Sequence, residues 1–334
     1  DGRLAGYPTA SVFSSTMNSY VMDLYKRLGM RHSKVYYGFD GATLFSSALL
    51  NVKYMFGESE KFENEAFSLA EQSGDIFLYE CTYTLPFGYV APSGYDLPEG
   101  FSGDGIRLQN QMVKDLGIEE DLFTEADTEA SGDNVRITAK ESGIYYAMLT
   151  AFGTSKAELI GGSLETHTFS DLKDGSILYL GYLQEGDSVT LTNGDDEDES
   201  PKISAQGYLC HTDVLEQALE VLCRQQLEWV EYDSRNINAG LSLKEAGRLI
   251  LSVPYEDGWR VRINGREVEP ALFGGTLMAF DLEAGEYSIS LYYTPEGTWA
   301  GVCLTILSVC VFGALAIRGY AKGRKMKHAK QEKA

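Results

Sequence analysis

Few residues in this 334-residue chain stand in a pattern that could carry out catalysis. The sequence contains no G-x-S-x-G, H-E-x-x-H or C-x-x-C motif, no P-loop and no G-x-G-x-x-G fingerprint. His32, His167 and His211 lie far apart, and nothing in their spacing supports a triad or a metal site. Acidic residues are numerous enough for two to pair as in a glycoside hydrolase, but abundance does not establish placement. The sequence therefore predicts no catalytic residue, no metal site and no cofactor.

Three residues are candidates for binding a substrate: Trp259, Lys53 and Tyr54. Trp259 could stack its ring on a sugar, although a core tryptophan at the start of a strand is the favoured interpretation. Lys53 lies in an apolar segment and could meet a lipid phosphate as a point charge. It could equally pair with a carboxylate or extend its amine out of a packed face. Tyr54 follows Lys53 and is included with it.

An acidic run, NGDDEDE at 193–199, suggests a calcium site at first sight. It lacks the alternating oxygen ligands and the central glycine of a calcium-binding loop. We therefore interpret it as a solvated loop.

Charge divides the chain into two parts. The formal net charge is −21 and the pI is about 4.6, which excludes a nucleic-acid binder that works through a global basic surface. Residues 318–334 nevertheless contain seven basic side chains and one acidic one, so this tail carries +6 and the rest of the chain −27.

An uncharged segment of 19 residues, 299–317, separates the acidic body from the basic tail. As a helix it would span about 28 Å, close to the hydrocarbon core of a bilayer. The positive-inside rule predicts a cytoplasmic tail and a body outside the cell. The chain begins Asp-Gly-Arg without an export signal, so we expect it to be the C-terminal part of a longer protein with upstream membrane spans. A buried helix in a soluble core, or a tail-anchored protein, is the competing interpretation.

The elements that must position the candidate residues change in character along the chain. Apolar residues at helical spacing predict helices over 16–28 and 101–116, and 76–81 reads as a strand. A further helix over 213–227, capped by Asp213, interrupts the strands that follow. Asn264-Gly265 predicts a two-residue hairpin. The later predicted strands are 135–139, 143–152, 176–183, 187–192, 203–210, 247–254, 258–264, 276–282 and 286–294.

This order predicts an α+β fold that is mainly β. Residues 1–116 form a mixed α/β part near the membrane, and 117–294 form an antiparallel, jelly-roll-like β-sandwich with one inserted helix. Residues 295–318 form a single transmembrane helix, and 319–334 form a basic cytoplasmic tail.

Three segments carry a resemblance to a known family. VPYEDGWRVRINGREVEP (253–270) resembles the PY-x-x-GW-x-V-x-x-(D/N)-G-x-x-V segment of the YfhO family of bacterial multi-spanning membrane proteins. FDLEAGEYSISLYYTPEGTWAG (280–301) is similar to the family's run into its last membrane helix, and LFSSALLNVKYMF (44–56) is similar to its LL-x-V-KY block. Glu286-Tyr287 departs from the pattern, which commonly has a histidine there.

The resemblance implies a GT-C-type membrane core that uses polyprenyl-phosphate-linked sugars and carries large outer domains. It implies a glycosyltransferase of the bacterial cell membrane that modifies a cell-wall polymer such as lipoteichoic acid outside the cell. The catalytic carboxylate of such enzymes lies in an early outer loop that this sequence does not contain, so no catalytic residue is carried over. The acidic body is then expected to bind the acceptor or to serve a structural role.

Two other functions stay open at this point. The chain could be a membrane-anchored β-sandwich that binds carbohydrate, or serves a structural role, without catalysis. It could also be an independent outer hydrolase that uses paired carboxylates. The expected partners are the lipid bilayer, the upstream spans, a polyprenyl-phosphate sugar and a cell-wall polymer, and not nucleic acid.

Overall fold

The computed structural model describes residues 8–14, 18–57, 62–131, 134–150, 155–162, 164, 166–194 and 203–331, with side chains up to residue 320 in the last helix. Within these residues the chain forms 23 strands and five helices. The helices are α1 (Ser19–Arg27), α2 (Leu44–Leu49), α3 (Gly105–Asp115), α4 (Thr212–Cys223) and α5 (Thr298–Gln331). The strands are β1 (Val12–Phe13), β2 (Tyr36–Tyr37), β3 (Tyr54–Gly57), β4 (Phe67–Ser73), β5 (Ile76–Cys81), β6 (Gly88–Ala91), β7 (Phe123–Glu125), β8 (Asp127–Ser131), β9 (Asn134–Thr138), β10 (Gly143–Leu149), β11 (Ala157–Ile160), β12 (Thr166–Phe169), β13 (Ile177–Leu183), β14 (Ser188–Asn193), β15 (Ala205–Cys210), β16 (Trp229–Tyr232), β17 (Asn236–Leu243), β18 (Gly247–Pro254), β19 (Trp259–Ile263), β20 (Arg266–Val268), β21 (Ala271–Phe273), β22 (Leu277–Leu282) and β23 (Gly285–Tyr293).

Two β-sandwiches make up most of the body. In sandwich 1, a sheet of order β13-β10-β15-β7 packs on a sheet of order β12-β11-β14-β9-β8 around buried Ile137, Leu159 and Leu180. In sandwich 2, a sheet of order β21-β22-β18-β6 packs on a sheet of order β16-β17-β23-β19-β20 around buried Leu249 and Phe280. Each sandwich therefore has its own apolar core between a four-stranded and a five-stranded sheet.

A layer of helices lies between the two sandwiches. The buried faces of α1 to α4 form one large core with side chains from both four-stranded sheets, including Tyr146 of β10 and Ile250 of β18. A small sheet of order β3-β5-β4 adds Phe77 and Tyr79 to this core. The layer order is thus five strands, four strands, helices, four strands and five strands.

Strand β10 shows why the four-stranded sheets read as continuous apolar runs. Tyr145 and Ala147 enter the core of sandwich 1, whereas Ile144, Tyr146 and Met148 enter the helical core. All seven residues of β10 are buried, so alternation between polar and apolar residues is lost. A strand covered on both faces produces this pattern, as in the interior sheets of layered folds.

The predicted mainly β, antiparallel class is confirmed, and each strand predicted between 135 and 294 overlaps an observed one. The hairpin prediction is also confirmed, because Asn264 and Gly265 have φ values of 50° and 76° between β19 and β20. The structure adds a second sandwich to the one predicted over 117–294. Part of it comes from the first 116 residues, since β6 pairs with β18. The division of the chain after residue 116 stays a prediction.

Two details of the prediction need separate comment. Asp213 does not cap the inserted helix, because α4 begins at Thr212 with His211 as its N-cap. Asp213 lies in the first turn instead, where a negative charge favours the helix N-terminus. The acidic run lies largely outside the described residues, which include only Asn193 and Gly194 of it.

Helix α5 contains the predicted membrane segment. Its apolar part, Thr298–Tyr320, has 23 residues with a mean hydropathy of 2.4, and none of it is buried against the body. The helix is therefore long and apolar enough to cross a bilayer, and its lack of contact with the body is what a lipid-facing span requires.

Candidate functional site

A cavity of about 290 Å³ lies between the N-terminal segment and one end of sandwich 2. Val12 and Asn18 line it from the N-terminal side. Glu256, Trp259 and Tyr293 line it from the ends of β18, β19 and β23. The wall therefore contains an indole, a phenol, a carboxylate and an amide, which can contact both the apolar faces and the hydroxyl groups of a polar ligand.

Trp259 lies at the border between the core of sandwich 2 and the cavity. Its half-buried ring packs against the core of sandwich 2 and also forms part of the cavity wall. It contacts the ring of Tyr293 at a centroid distance of 5.1 Å and an interplanar angle of 54°. Its role in binding a substrate stays a prediction.

The loop before Trp259 is held in a tight turn. The N–H of Trp259 donates to the carbonyl of Glu256 at 3.0 Å, and Thr294 N–H donates to the carbonyl of Gly258 at 2.9 Å. A Cβ on residue 258 would lie 2.5 Å from the Thr294 carbonyl oxygen and 2.6 Å from the Tyr293 ring. Only glycine lets the end of β23 approach this turn so closely.

Glu256 and Tyr293 form the polar centre of the cavity. The Tyr293 hydroxyl donates to Glu256 Oε2 at 2.6 Å. This hydrogen bond, followed by partial burial and the nearby charges of Glu256 and Glu296, raises the pKa of Tyr293 to about 12. The single hydroxyl proton of Tyr293 is committed to Glu256, so the pair offers a ligand hydroxyl two acceptors, the second Glu256 oxygen and the Tyr293 oxygen.

Asn18 fixes the opposite wall. Its Nδ2 donates to the Tyr255 carbonyl at 2.9 Å, while its Oδ1 accepts the N–H of Tyr20 and caps α1. A cap of this kind stabilises a helix by about 1 kcal/mol. The same side chain thus begins the helix and ties it to the loop that carries Glu256.

The cavity lies close to the membrane helix. Tyr293 ends β23, and α5 begins five residues later at Thr298. Five residues span at most roughly 18 Å. Any ligand held by Tyr293 therefore lies near the first residue of α5, the candidate membrane-spanning helix.

Lys53 and Tyr54 do not line this cavity. They lie at the start of β3 in the small three-stranded sheet, where Lys53 is exposed and Tyr54 is 53% exposed. The structure therefore brings Trp259 into the cavity and leaves Lys53 and Tyr54 on another surface. Their role in binding stays a prediction.

The histidines occupy separate positions. His211 contacts Thr124 at 2.7 Å beside α4, and His32 contacts the carbonyl of Met30 at 2.9 Å. Burial lowers the pKa of both His32 and His167. Among the described residues, no group of three or more His, Cys, Asp or Glu side chains is placed to hold a metal ion.

Sequence reasoning missed Asn18, Glu256 and Tyr293 as cavity residues. Glu256 stands in the PYEDGW segment, and Tyr293 stands in the YYTP segment that leads to the membrane helix. Both segments were singled out as motifs, so the signal was present. Their meeting in space depends on the pairing of β19 with β23, which aligns Trp259 with Tyr293.

Comparisons with known proteins give one informative match. No curated protein is similar enough to count as a relative. Among solved structures, the 7S globulin of Momordica charantia matches with 12% identity over 52% of this chain and 81% of the globulin. The TM-score is 0.10, too low to equate the two folds. The model of the bacterial membrane protein YfhO matches residues 1–147 and 163–305. Since this match covers most of the sequence, the chain belongs to the YfhO family of bacterial membrane proteins.

Proposed function

We propose that this chain is the outer, acceptor-binding part of a polyprenyl-phosphate-sugar-dependent glycosyltransferase that modifies a cell-wall polymer such as lipoteichoic acid. The body lies outside the cell and the basic tail in the cytoplasm, an orientation supported by the +6 tail that follows the apolar segment. The catalytic carboxylate belongs to an early outer loop of the complete protein. This body binds and orients the acceptor.

The cavity between the N-terminal segment and sandwich 2 is the observation that carries this proposal. Its wall offers the Trp259 ring together with the Glu256 and Tyr293 pair, and α5 begins five residues after Tyr293. A lipid-linked donor is confined to the bilayer surface. An acceptor must therefore be presented at that surface, where this cavity lies.

The cavity residues have distinct tasks in this proposal. The Trp259 ring packs on the apolar face of a sugar or polyol unit. Glu256 accepts a hydrogen bond from a ligand hydroxyl through its second carboxylate oxygen, and the Tyr293 oxygen, whose proton is donated to Glu256, accepts another. Cleavage by these residues alone is not expected, because both glycosidase mechanisms need two carboxyl groups and this wall offers one.

Three variants of the complete protein in bacterial cells test the proposal. Trp259→Ala and Glu256→Gln should each lower the sugar content of lipoteichoic acid about tenfold, the effect of losing roughly 1.4 kcal/mol of binding. Trp259→Phe keeps an aromatic face and should retain much of the modification. Western blotting controls for the amount of each variant in the cells, and the melting temperature controls for folding. Glu256→Gln removes the negative charge without creating a void in the core.

Unchanged modification in Trp259→Ala and Glu256→Gln cells would contradict acceptor binding in the cavity. A second measurement addresses catalysis itself. The purified complete protein is incubated with polyprenyl-phosphate sugar and lipoteichoic acid, and transferred sugar is quantified. Polymer binding without any transfer would assign the protein to the non-catalytic, carbohydrate-binding class instead.

A further inference from the structure

The five-stranded sheet of sandwich 2 has a second face that is not involved in the cavity. Alternate residues of β17 and β23, such as Ile237 and Leu291, point into the sandwich core, so their neighbours point outward. The outward residues that matter here are Trp229, Asn238, Ser290, Tyr292 and Arg262, which we call the outer face. Four of them are exposed and Ser290 is half-buried.

Trp229 lies flat on the sheet at the edge strand β16. It pairs with Gly240, and a Cβ on residue 240 would lie 2.2 Å from the indole Nε1 and 2.8 Å from Cε2. The ring therefore occupies the space above a glycine. The residue is 48% exposed, which is a large exposed apolar area for a tryptophan in an ordered strand.

Tyr292 provides a second exposed ring on the same face, also at 48% exposure. Gly240 pairs with Ser288, four residues before Tyr292, and β16 lies two strands from β23. Strand spacing and rise then place Trp229 and Tyr292 roughly 17 Å apart. Two rings at this separation suit a chain of several units better than a single small molecule.

A row of polar side chains runs between the two rings. Register places Glu231, Asn238, Ser290 and Arg262 side by side across four strands. Among the described residues, no hydrogen bond or ion pair engages the side chains of Asn238, Ser290 or Arg262. The row therefore presents an amide, a hydroxyl and a guanidinium that are available as hydrogen-bonding groups.

The charge of this face indicates the kind of ligand. It carries Arg260 and Arg262 together with Glu231, Glu267 and Glu286, and Arg260 lies 3.9 Å from Glu267. The two signs are nearly balanced, whereas the body as a whole carries −27. This face therefore offers little net positive charge with which to hold a polyanion.

We propose that the outer face binds a neutral oligosaccharide chain, with Trp229 and Tyr292 stacking on sugar rings and Asn238, Ser290 and Arg262 bonding to the hydroxyls between them. Aromatic rings give apolar contact at a low cost in side-chain conformational entropy. The polar row fixes the orientation of the saccharide. This site is separate from the cavity and does not depend on the proposed transferase activity.

Isothermal titration calorimetry on the full 334-residue chain in detergent micelles tests the proposal. The probes are cellotetraose, chitotetraose and mannotetraose. At least one should bind, and Trp229→Ala and Tyr292→Ala should each weaken that affinity about tenfold or more. Asn238→Leu, which keeps the side-chain size, should also weaken it. The matched control is Phe56→Ala, which removes an exposed aromatic ring from β3 in another sheet and should leave this affinity unchanged. Trp259→Ala is measured beside it to report on the cavity.

Four results of binding measurements would overturn the proposal. The first is no binding of any of the three tetrasaccharides, and the second is binding that Trp229→Ala and Tyr292→Ala do not affect. The third is loss of affinity in Trp259→Ala alone, which would assign the saccharide to the cavity. The fourth is tighter binding of poly(glycerol phosphate) than of the neutral probes. Sedimentation velocity on Trp229→Ala shows whether the face instead joins two copies of the chain, an outcome that would also refute it.

Discussion

Gly258→Ala is the perturbation that most directly tests how the cavity is joined to the membrane helix. Gly258 stands in the turn between β18 and β19, and its φ lies outside the left-handed region, so alanine adds no backbone strain. The new methyl group would lie 2.5 Å from the Thr294 carbonyl oxygen and 2.6 Å from Cε2 of Tyr293. Ordinary contacts of this kind begin near 3.4 Å, so the turn and the end of β23 must separate by about 1 Å.

The expected cost follows from this overlap. Inserting a methyl group against backbone atoms that cannot rotate away costs about 1–3 kcal/mol. Weakening the Thr294 N–H to Gly258 carbonyl bond adds about 1 kcal/mol. We therefore expect a loss of about 2–4 kcal/mol. At roughly 2–4 °C per kcal/mol, this lowers the melting temperature by about 4–16 °C.

The assay is thermal unfolding of the full chain in detergent micelles, with Gly38→Ala as the matched control. A Cβ at residue 38 meets Asp40 Oδ2 at 3.4 Å, an ordinary contact, and the φ of Gly38 also lies outside the left-handed region. Ultraviolet titration gives a second readout, since displacement of Tyr293 from Glu256 should lower its pKa from about 12. Equal melting temperatures for the two variants would refute this account of the packing.

Three further outcomes are expected. Glu256→Gln should lower the pKa of Tyr293 from about 12 toward its ordinary value, because the hydrogen-bonded carboxylate disappears, and the phenolate absorbance measures this. Arg248→Lys should lower the free energy of unfolding by about 1 kcal/mol in chemical denaturation, since lysine cannot reproduce the paired 2.8 Å bonds to the half-exposed Asp281. The pKa of His32 is lowered by burial, so its contribution to stability is complete above about pH 6.5 and is lost as the pH falls toward its folded pKa. His32→Gln should flatten part of the decline in melting temperature over that window.

Local features of the fold were predictable because they depend on neighbours in sequence. The Asn264-Gly265 turn requires positive φ at both positions, and the structure has it. The length and apolarity of residues 299–317 predicted the membrane helix without reference to any other part of the chain. Strands such as Ile76–Cys81 follow directly from local apolar patterns.

Features that join distant residues were not predictable in this way. Continuous apolar runs such as β10 show that a strand is covered on both faces, but they do not show by what. One sandwich was therefore predicted where two flank a helical layer. Similarly, nothing in the sequence indicates that β6 joins β18, because that pairing spans more than 150 residues.

The candidate site residues also divide into those that the sequence indicated and those that only the tertiary packing revealed. Trp259 was identified from its residue type and motif, and the structure places it in the cavity wall, while its role in binding stays a prediction. Asn18 lies more than 230 residues from Glu256 in sequence, so only the packing of α1 against the loop after β18 brings them together. Trp229 was not selected, because the sequence alone does not distinguish an exposed tryptophan from one in a core. Its pairing with Gly240 places it on the outer side of the sheet, where it is exposed.

The sequence by itself determined the division of the chain into an acidic body, an uncharged segment and a basic tail, because charge and apolarity are sums over contiguous residues. Its motifs also indicated the YfhO family, since a motif is read along the chain. The tertiary structure decided the number of sandwiches, the cavity and the outer face. Each of these depends on strand register and on contacts between segments far apart in sequence, and composition does not record such contacts.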